Sequence, residues 1–183
     1  WTFEAPLLCQ AVRYHDCRSC GFLQTEEPTW LDRAYERPIN LVDTGILYRN
    51  LMNRGRVVST LMALNAMNGR VLDLAGGYGI LVRLLRDAGV DAAWHDKYCQ
   101  NLMAVGFEAD AGRYDLVTAF EVAEHLVHPL DELKAMFDRA DHVLWSTELV
   151  PAPVGQAPRD WWYLGPEHGQ HIGFFRWQTL QHM

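Results

Sequence analysis

The sequence predicts a doubly wound α/β fold with a mainly parallel sheet, preceded by a small cysteine-rich N-terminal segment. Three observations lead there. Short apolar runs alternate with segments of helical period between residues 71 and 147. One junction, Val71-Leu72-Asp73-Leu74-Ala75-Gly76-Gly77-Tyr78-Gly79, is an apolar strand run closing on an acid and then a glycine-rich turn. The residues after it switch to helical spacing, with apolar side chains at 80, 81, 84, 85 and 88. Residues 1–38 differ, with cysteines, prolines and aromatics and no sustained helical period.

Taken in order, the core opens with a helical region from about Thr44 to Asn68. Its inner face is expected at Leu47, Leu51, Val57, Val58, Leu61, Leu64 and Met67, with Asn68-Gly69 closing it. Strands are expected near 71–74, 91–95, 106–108, 114–120 and 142–147, and helices near 79–88, 97–104 and 129–140. Pro129 suits a first helical turn, and Leu130, Leu133 and Phe137 form the expected buried stripe of the last helix. From Pro151 to Pro166 the chain is rich in proline and glycine and then tryptophan, predicting a structured loop over the carboxyl edge of the sheet. The expected division is a partial cysteine-rich segment at 1–38 and a cofactor-binding domain at 39–183.

With 183 residues and 49% hydrophobic content, the chain can bury a good core. A net charge of −7 and a pI near 5.5 argue against general binding to nucleic acid or to an anionic membrane surface. No run approaches the roughly 18 apolar residues that span a bilayer, and no signal peptide is visible. Four cysteines including a CxxC pair favour a reducing compartment, so a cytoplasmic location is expected. Oligomeric state is not legible.

Glycines let backbone N–H groups approach a ligand, so a strand, a tight glycine turn and a helix make a nucleotide crevice. A dinucleotide fingerprint would need glycine at 82, where valine stands, and no Gly-Lys-Ser/Thr follows for a P-loop. The acid before the turn would repel a pyrophosphate but can hold an ammonium group, which S-adenosylmethionine (SAM) carries without any phosphate. The segment resembles the first motif of the class I SAM-dependent methyltransferases, an acid followed by Gly-x-Gly-x-Gly. Ala75 stands at the first glycine, and Gly77 and Gly79 match the other two. In that family the second strand ends in a carboxylate that takes both ribose hydroxyls, which the resemblance places at Asp96, with Lys97 beside it. The run Tyr114–Phe120 followed by Glu121-Val122-Ala123-Glu124-His125 resembles the family's fourth strand and its Glu-x-x-Glu-His stretch near the methyl-transfer site. Asp73, Ala75, Gly77, Gly79, Asp96, Lys97 and Phe120 are thus the expected SAM site. A seven-stranded family sheet has two more strands than can be placed here, so both ends are expected to be incomplete.

Cys17-Arg18-Ser19-Cys20-Gly21 is CxxC followed by glycine, the turn zinc ribbons use to aim N–H groups at sulfur. The stretch resembles the cysteine-rich front end of bacterial sugar C-methyltransferases, which implies structural zinc with Cys17 and Cys20 as ligands; a pair of free thiols is the competing reading. Cys99 is expected to lie in a helix as packing.

The loop after the fifth strand, Asp160 to Phe175, concentrates aromatics, histidines and a glutamate. Gln170-His171-Ile172-Gly173-Phe174-Phe175 can be laid over the Glu-His-x-x-x-Phe/Tyr stretch of the sugar C-methyltransferases, or Glu167-His168 can be the match. The resemblance implies methyl transfer to a small polar acceptor, a nucleotide-linked or secondary-metabolite sugar. A small-molecule O- or N-methyltransferase of quinone-biosynthesis type and a non-catalytic SAM-binding domain are the alternatives. Methyl transfer needs aligned reactants and a base for the acceptor's proton. His171 is expected as that base, His125 as a positioning group and His168 as the reserve candidate.

Overall fold

The computed structural model describes residues 1–36 and 44–183, so the expected boundary at 38/39 lies outside the described residues. In chain order the elements are β1 (Thr2–Ala5), β2 (Gln10–Asp16), β3 (Leu23–Thr25), α1 (Leu31–Ala34), α2 (Ile46–Ala63), β4 (Arg70–Leu74), α3 (Ile80–Asp87), β5 (Asp91–His95) and β6 (Tyr114–Phe120). There follow α4 (Pro129–Arg139), β7 (Ala140–Ser146), β8 (Gly173–Phe174) and α5 (Trp177–His182). The chain forms two compact units: one of Trp1–Arg37, Glu121–Leu130 and Ser146–Met183, the other of Pro38–Phe120 and Asp131–Trp145.

The second unit is the expected α/β fold. Its sheet has the order β5-β4-β6-β7, and β4 runs parallel to both β5 and β6. A central parallel strand is covered on both faces, so Val71, Leu72 and Asp73 are all buried in succession, without polar alternation. Leu81, Val82 and Leu85 of α3 pack with Val57 and Leu61 of α2 over Val71 and Leu116. Asp73 is the polar exception, only 4% exposed, and its Oδ1 accepts a 2.7 Å hydrogen bond from Thr118 Oγ1 on β6.

Several local expectations need correction. The strand expected at 106–108 is reduced to a single parallel bridge between Trp94 and Glu108. Residues 97–104 form no helix, and Cys99 lies in a bend. There the side chains outbid the helix for backbone donors: Asp96 Oδ1 takes the N–H groups of Tyr98 and Cys99, and Asn101 Oδ1 takes that of Ala104. Helix α2 ends at Ala63 rather than at 68–69, because Asn65 enters the left-handed region at φ 54°. Its buried stripe is Asn53, Val57 and Leu61, at the four-residue spacing, while Leu47 and Leu51 project outward. In α4 the buried pair is Leu133 and Met136, and Leu130 and Phe137 are exposed.

The first unit has its own four-stranded sheet, β1-β2-β3-β8, antiparallel throughout. The cysteine-rich N-terminal segment therefore does not close on itself: β3 pairs with β8 in the register Leu23↔Phe174. Tyr14, Leu23, Trp30, Tyr163, Leu164 and Phe174 make the buried centre of this unit. The loop from Pro151 is structured as expected, with a 3₁₀ turn at Trp162–Leu164 that buries Tyr163 and Leu164. Arg176 ties the unit's N-terminal and C-terminal segments together. Its Nη1 donates to Asp16 Oδ1 at 2.7 Å and its Nε to the Ala152 carbonyl at 2.8 Å. Among the described residues no helix is long and apolar enough to cross a membrane.

Two expectations about stability follow from buried charge. Arg176→Met strands the Asp16 carboxylate, whose side chain is 9% exposed, and should lower unfolding free energy by about 3–5 kcal/mol in urea titrations. A loss within experimental error would mean that the ion pair ties nothing. Burial raises the Asp73 carboxyl to about 7, against the lowering effect of the Thr118 hydrogen bond. The folded chain then holds a proton that the unfolded chain releases near pH 4, so stability falls between about pH 4 and pH 7. Asp73→Asn should make that decline shallower in denaturation midpoints measured across the range; an unchanged slope would contradict it.

Candidate active site

In the α/β unit the expected SAM residues gather where β4 turns into α3. Ala75 takes φ 57°, Gly77 φ 54° and Gly79 φ 84°, so the turn uses three left-handed positions, one of them filled by a residue with a Cβ. That costs Ala75 about 1–2 kcal/mol relative to glycine. Gly76 is required for another reason: a Cβ there would lie 2.8 Å from Trp94 Cδ1 and 2.9 Å from Asp73 Oδ2. Gly79 caps α3 at φ 84°, and a Cβ there would meet Ala104 Cβ at 2.9 Å.

Asp96, just past β5, fastens this turn. Its Oδ2 accepts the Gly77 N–H at 2.9 Å, while Trp94 Nε1 donates to the Gly77 carbonyl at 2.9 Å. Its Oδ1 takes the Tyr98 and Cys99 N–H groups, both at 2.7 Å. A carboxylate offers about four lone-pair positions, so three bound donors leave room for about one more. Asp96 as placed can therefore accept one ribose hydroxyl without rearrangement, rather than the two that the resemblance implies. Lys97 Nζ lies over the Tyr98 ring, 4.9 Å from its centroid, and Phe120 packs partly buried against the core of this unit. The Cys99 thiol is pushed up to about 12 by burial, with Asp96 adding to the effect, so it stays protonated.

The histidines and their neighbours belong to the other unit. A 3₁₀ turn at Ala123–His125 follows Glu121, whose φ of 55° is itself left-handed. Tyr163 bridges two carboxylates: its hydroxyl lies 2.7 Å from Glu121 Oε2 and 2.5 Å from Glu124 Oε1. Ser146 Oγ donates to Glu121 Oε1 at 2.6 Å and Thr147 Oγ1 to Glu124 Oε2 at 2.9 Å. One phenol proton cannot serve both carboxylates, so a second proton must be shared among the three groups. Glu124, fully buried, is its natural holder: desolvation raises its carboxyl to about 7, against the lowering hydrogen bond from Tyr163.

His125 and His171 stand edge to face with ring centroids 4.8 Å apart. His125 Nδ1 lies 3.0 Å from the Gln170 carbonyl and His171 Nδ1 lies 2.6 Å from the Tyr163 carbonyl. A carbonyl only accepts, so both rings carry their proton on Nδ1, which makes the Tyr35 hydroxyl, 2.9 Å from His125 Nδ1, a second acceptor there, and both present a lone pair at Nε2. Burial lowers His125 to about 4 and His171 to about 3, which keeps both neutral at pH 7. His168, 5.0 Å from His171 between centroids, has the opposite tautomer: its Nδ1 accepts the Gln170 N–H at 3.1 Å. Its lone pair is already used, which leaves it unsuited to the base role.

The structure thus brings together Asp73, Ala75, Gly77, Gly79 and Asp96 in one unit and His125, His168 and His171 in the other. Sequence reasoning placed Glu121 and Glu124 near the methyl-transfer site by resemblance but gave neither a role, and it gave none to Tyr163 or Thr147. The available signal was the pair of acids three residues apart directly after an apolar strand, with His125 adjoining the second.

Cys17 and Cys20 do form the expected knuckle. Gly21 N–H bonds the Cys17 carbonyl at 2.9 Å with Gly21 at φ 74°, and the Cys20 backbone N–H, ahead of that of Ser19, draws the Cys17 thiol below its ordinary range. A closed zinc site needs four ligands. Among the described residues the sole group of three or more His, Cys, Asp or Glu side chains close enough to share an ion is Glu124, His125 and His171. The residues present at the knuckle therefore do not fit a closed structural zinc.

No curated relative matches the chain. Among solved structures, a plantazolicin methyltransferase, BpumL, in complex with a monoazolic desmethylPZN analog and SAH, is similar at 10% identity. The alignment covers 85% of this chain and 70% of that one with a TM-score of 0.51, a likeness of fold. Magnesium protoporphyrin IX methyltransferase from Synechocystis PCC 6803, with bound SAH, is similar at 24% identity with a TM-score of 0.40, over 62% of this chain. The chain spans 64% of the length of that enzyme. CalO1, a methyltransferase in calicheamicin biosynthesis, is similar at 15% identity over 80% of this chain and 50% of that one, with a TM-score of 0.41. The family described as "Methyltransferase domain" matches residues 48–183, and the chain belongs to that family.

Proposed function

We propose that the chain transfers a methyl group from SAM to a small polar acceptor, a nucleotide-linked or secondary-metabolite sugar being the preferred substrate. The observation that carries the reading is the Asp73–Gly79 turn fastened through Gly77 to Asp96, which sets a glycine backbone between two acids. In this reading the ribose lies on Asp96 and the methionine end by Asp73 and Gly77.

His171 is the proposed recipient of the acceptor's proton, with His125 positioning. A ring whose conjugate acid is so weak cannot strip a proton from a carbon acid in advance. It can accept a hydrogen bond from a hydroxyl and take its proton as the oxygen is alkylated and becomes strongly acidic. The cytoplasm is the proposed location.

Two outcomes test the reading. Asp96→Ala removes the ribose acceptor and the fastening of the turn, and should weaken SAM binding by at least about 1–3 kcal/mol in calorimetry. Unchanged affinity would take Asp96 out of the site. His171→Ala should lower turnover of the accepted substrate about 10²–10⁴-fold while leaving SAM affinity intact. Near-normal turnover in that variant would end the assignment of His171.

A further inference from the structure

Glu124, His125 and His171 have a property that proton transfer does not require. Each offers one ligand atom, and these atoms all lie within 4.8 Å of one another. Tetrahedral ligands at zinc-like bond lengths stand about 3.4 Å apart. His125 Nε2 and Glu124 Oε1, at 3.7 Å, are nearly there already, and the remaining separations need to close by at most about 1.4 Å.

The surroundings of the three residues are those that metal ligands have. The backbone carbonyls of Gln170 and Tyr163 each hold one imidazole by Nδ1, so both Nε2 lone pairs are set by an outer partner. The far oxygen of Glu124 is held by the Thr147 hydroxyl and the near one by the Tyr163 hydroxyl. Among the described residues no hydrogen bond engages either Nε2, and no lysine or arginine forms an ion pair with Glu124, which is fully buried. A buried carboxylate without a cation must keep a proton or find one.

We infer that Glu124, His125 and His171 form a binding site for one divalent first-row transition-metal ion, with Zn²⁺ as the representative species. The ion is held by one carboxylate oxygen and two Nε2 atoms, leaving at least one coordination position for water or an oxygen ligand. Two imidazoles and one carboxylate suit Zn²⁺, Fe²⁺ or Co²⁺. They do not suit Ca²⁺ or Mg²⁺, which take oxygen ligands, nor Cu⁺, which prefers thiolates. The site stands on this unit alone and does not need SAM to form. An ion and the acceptor's proton compete for the same lone pair of His171.

The test is a titration of the chelator-stripped full chain with ZnCl₂ and, separately, with CoCl₂ followed by visible absorption. The expected result is one ion per chain, a cobalt spectrum of nitrogen and oxygen ligation without a thiolate charge-transfer band, and unchanged binding in the Cys17→Ser/Cys20→Ser variant. Glu124→Gln and His171→Ala should each weaken the ion by more than the about 10–100-fold that loss of an outer partner causes. Absence of stoichiometric binding, a thiolate band, or loss of the ion in the cysteine variant would overturn the inference. Because the cobalt spectrum is read on the unsubstituted chain, it decides even if a variant fails to fold. Calorimetry with SAM on the same samples separates the two claims: SAM binding without an ion sinks only the metal site, and an ion without SAM binding sinks only the methyl-transfer reading.

Discussion

The turn from β4 into α3 depends on how closely the chain passes itself at Gly76. There is no room for a Cβ between the Trp94 ring and the Asp73 carboxylate, so β4 can bend back beside β5 only if that position is glycine. The close pass brings Gly76 N–H to the His95 carbonyl at 3.0 Å and Gly77 N–H to Asp96 at 2.9 Å. It thereby converts two parallel strand ends into one cradle. Ala75 bears the strain of the same turn, in a left-handed conformation that glycine would adopt freely. The departure from the family pattern at Ala75 is, in the structure, a question of backbone conformation.

The other unit solves a different problem, that of burying acids without bases. Among the described residues Glu121 and Glu124 share the Tyr163 hydroxyl and no cation, and the neutral rings of His125 and His171 add lone pairs rather than charge. Such an arrangement favours whatever brings positive character to it, either an acidic hydroxyl or a metal ion. Its anchoring is unusually local in one respect: Gln170 serves both His125, through its carbonyl, and His168, through its N–H, fixing opposite tautomers.

What could be read from the sequence follows what is local. The β4–turn–α3 junction was legible because a strand run, glycines and a helical period stand next to one another, and Asp96 was legible from its spacing behind them. The bend at 97–104 was not, because Asp96 and Asn101 spend their side chains on nearby N–H groups and forestall the helix that the spacing suggested. The first unit's sheet was illegible for a topological reason: Leu23 finds Phe174, and no pattern within three residues of β3 announces so distant a partner. The same holds for the Tyr163–Glu124 contact, 39 positions apart in sequence. The three expected histidines lie side by side, whereas the lone-pair argument that separates His168 from the other two needed their backbone partners.

The central claim, that the fastened glycine turn is where the cofactor sits, is tested most directly by amide chemical shifts in the ¹⁵N-labelled chain titrated with S-adenosylhomocysteine. The account predicts saturable shifts, largest at Gly77, Gly79 and the Asp96–Cys99 amides, because the ligand must engage the groups that now hold that turn. Saturable shifts that spare these amides, or no saturation at all, would contradict it.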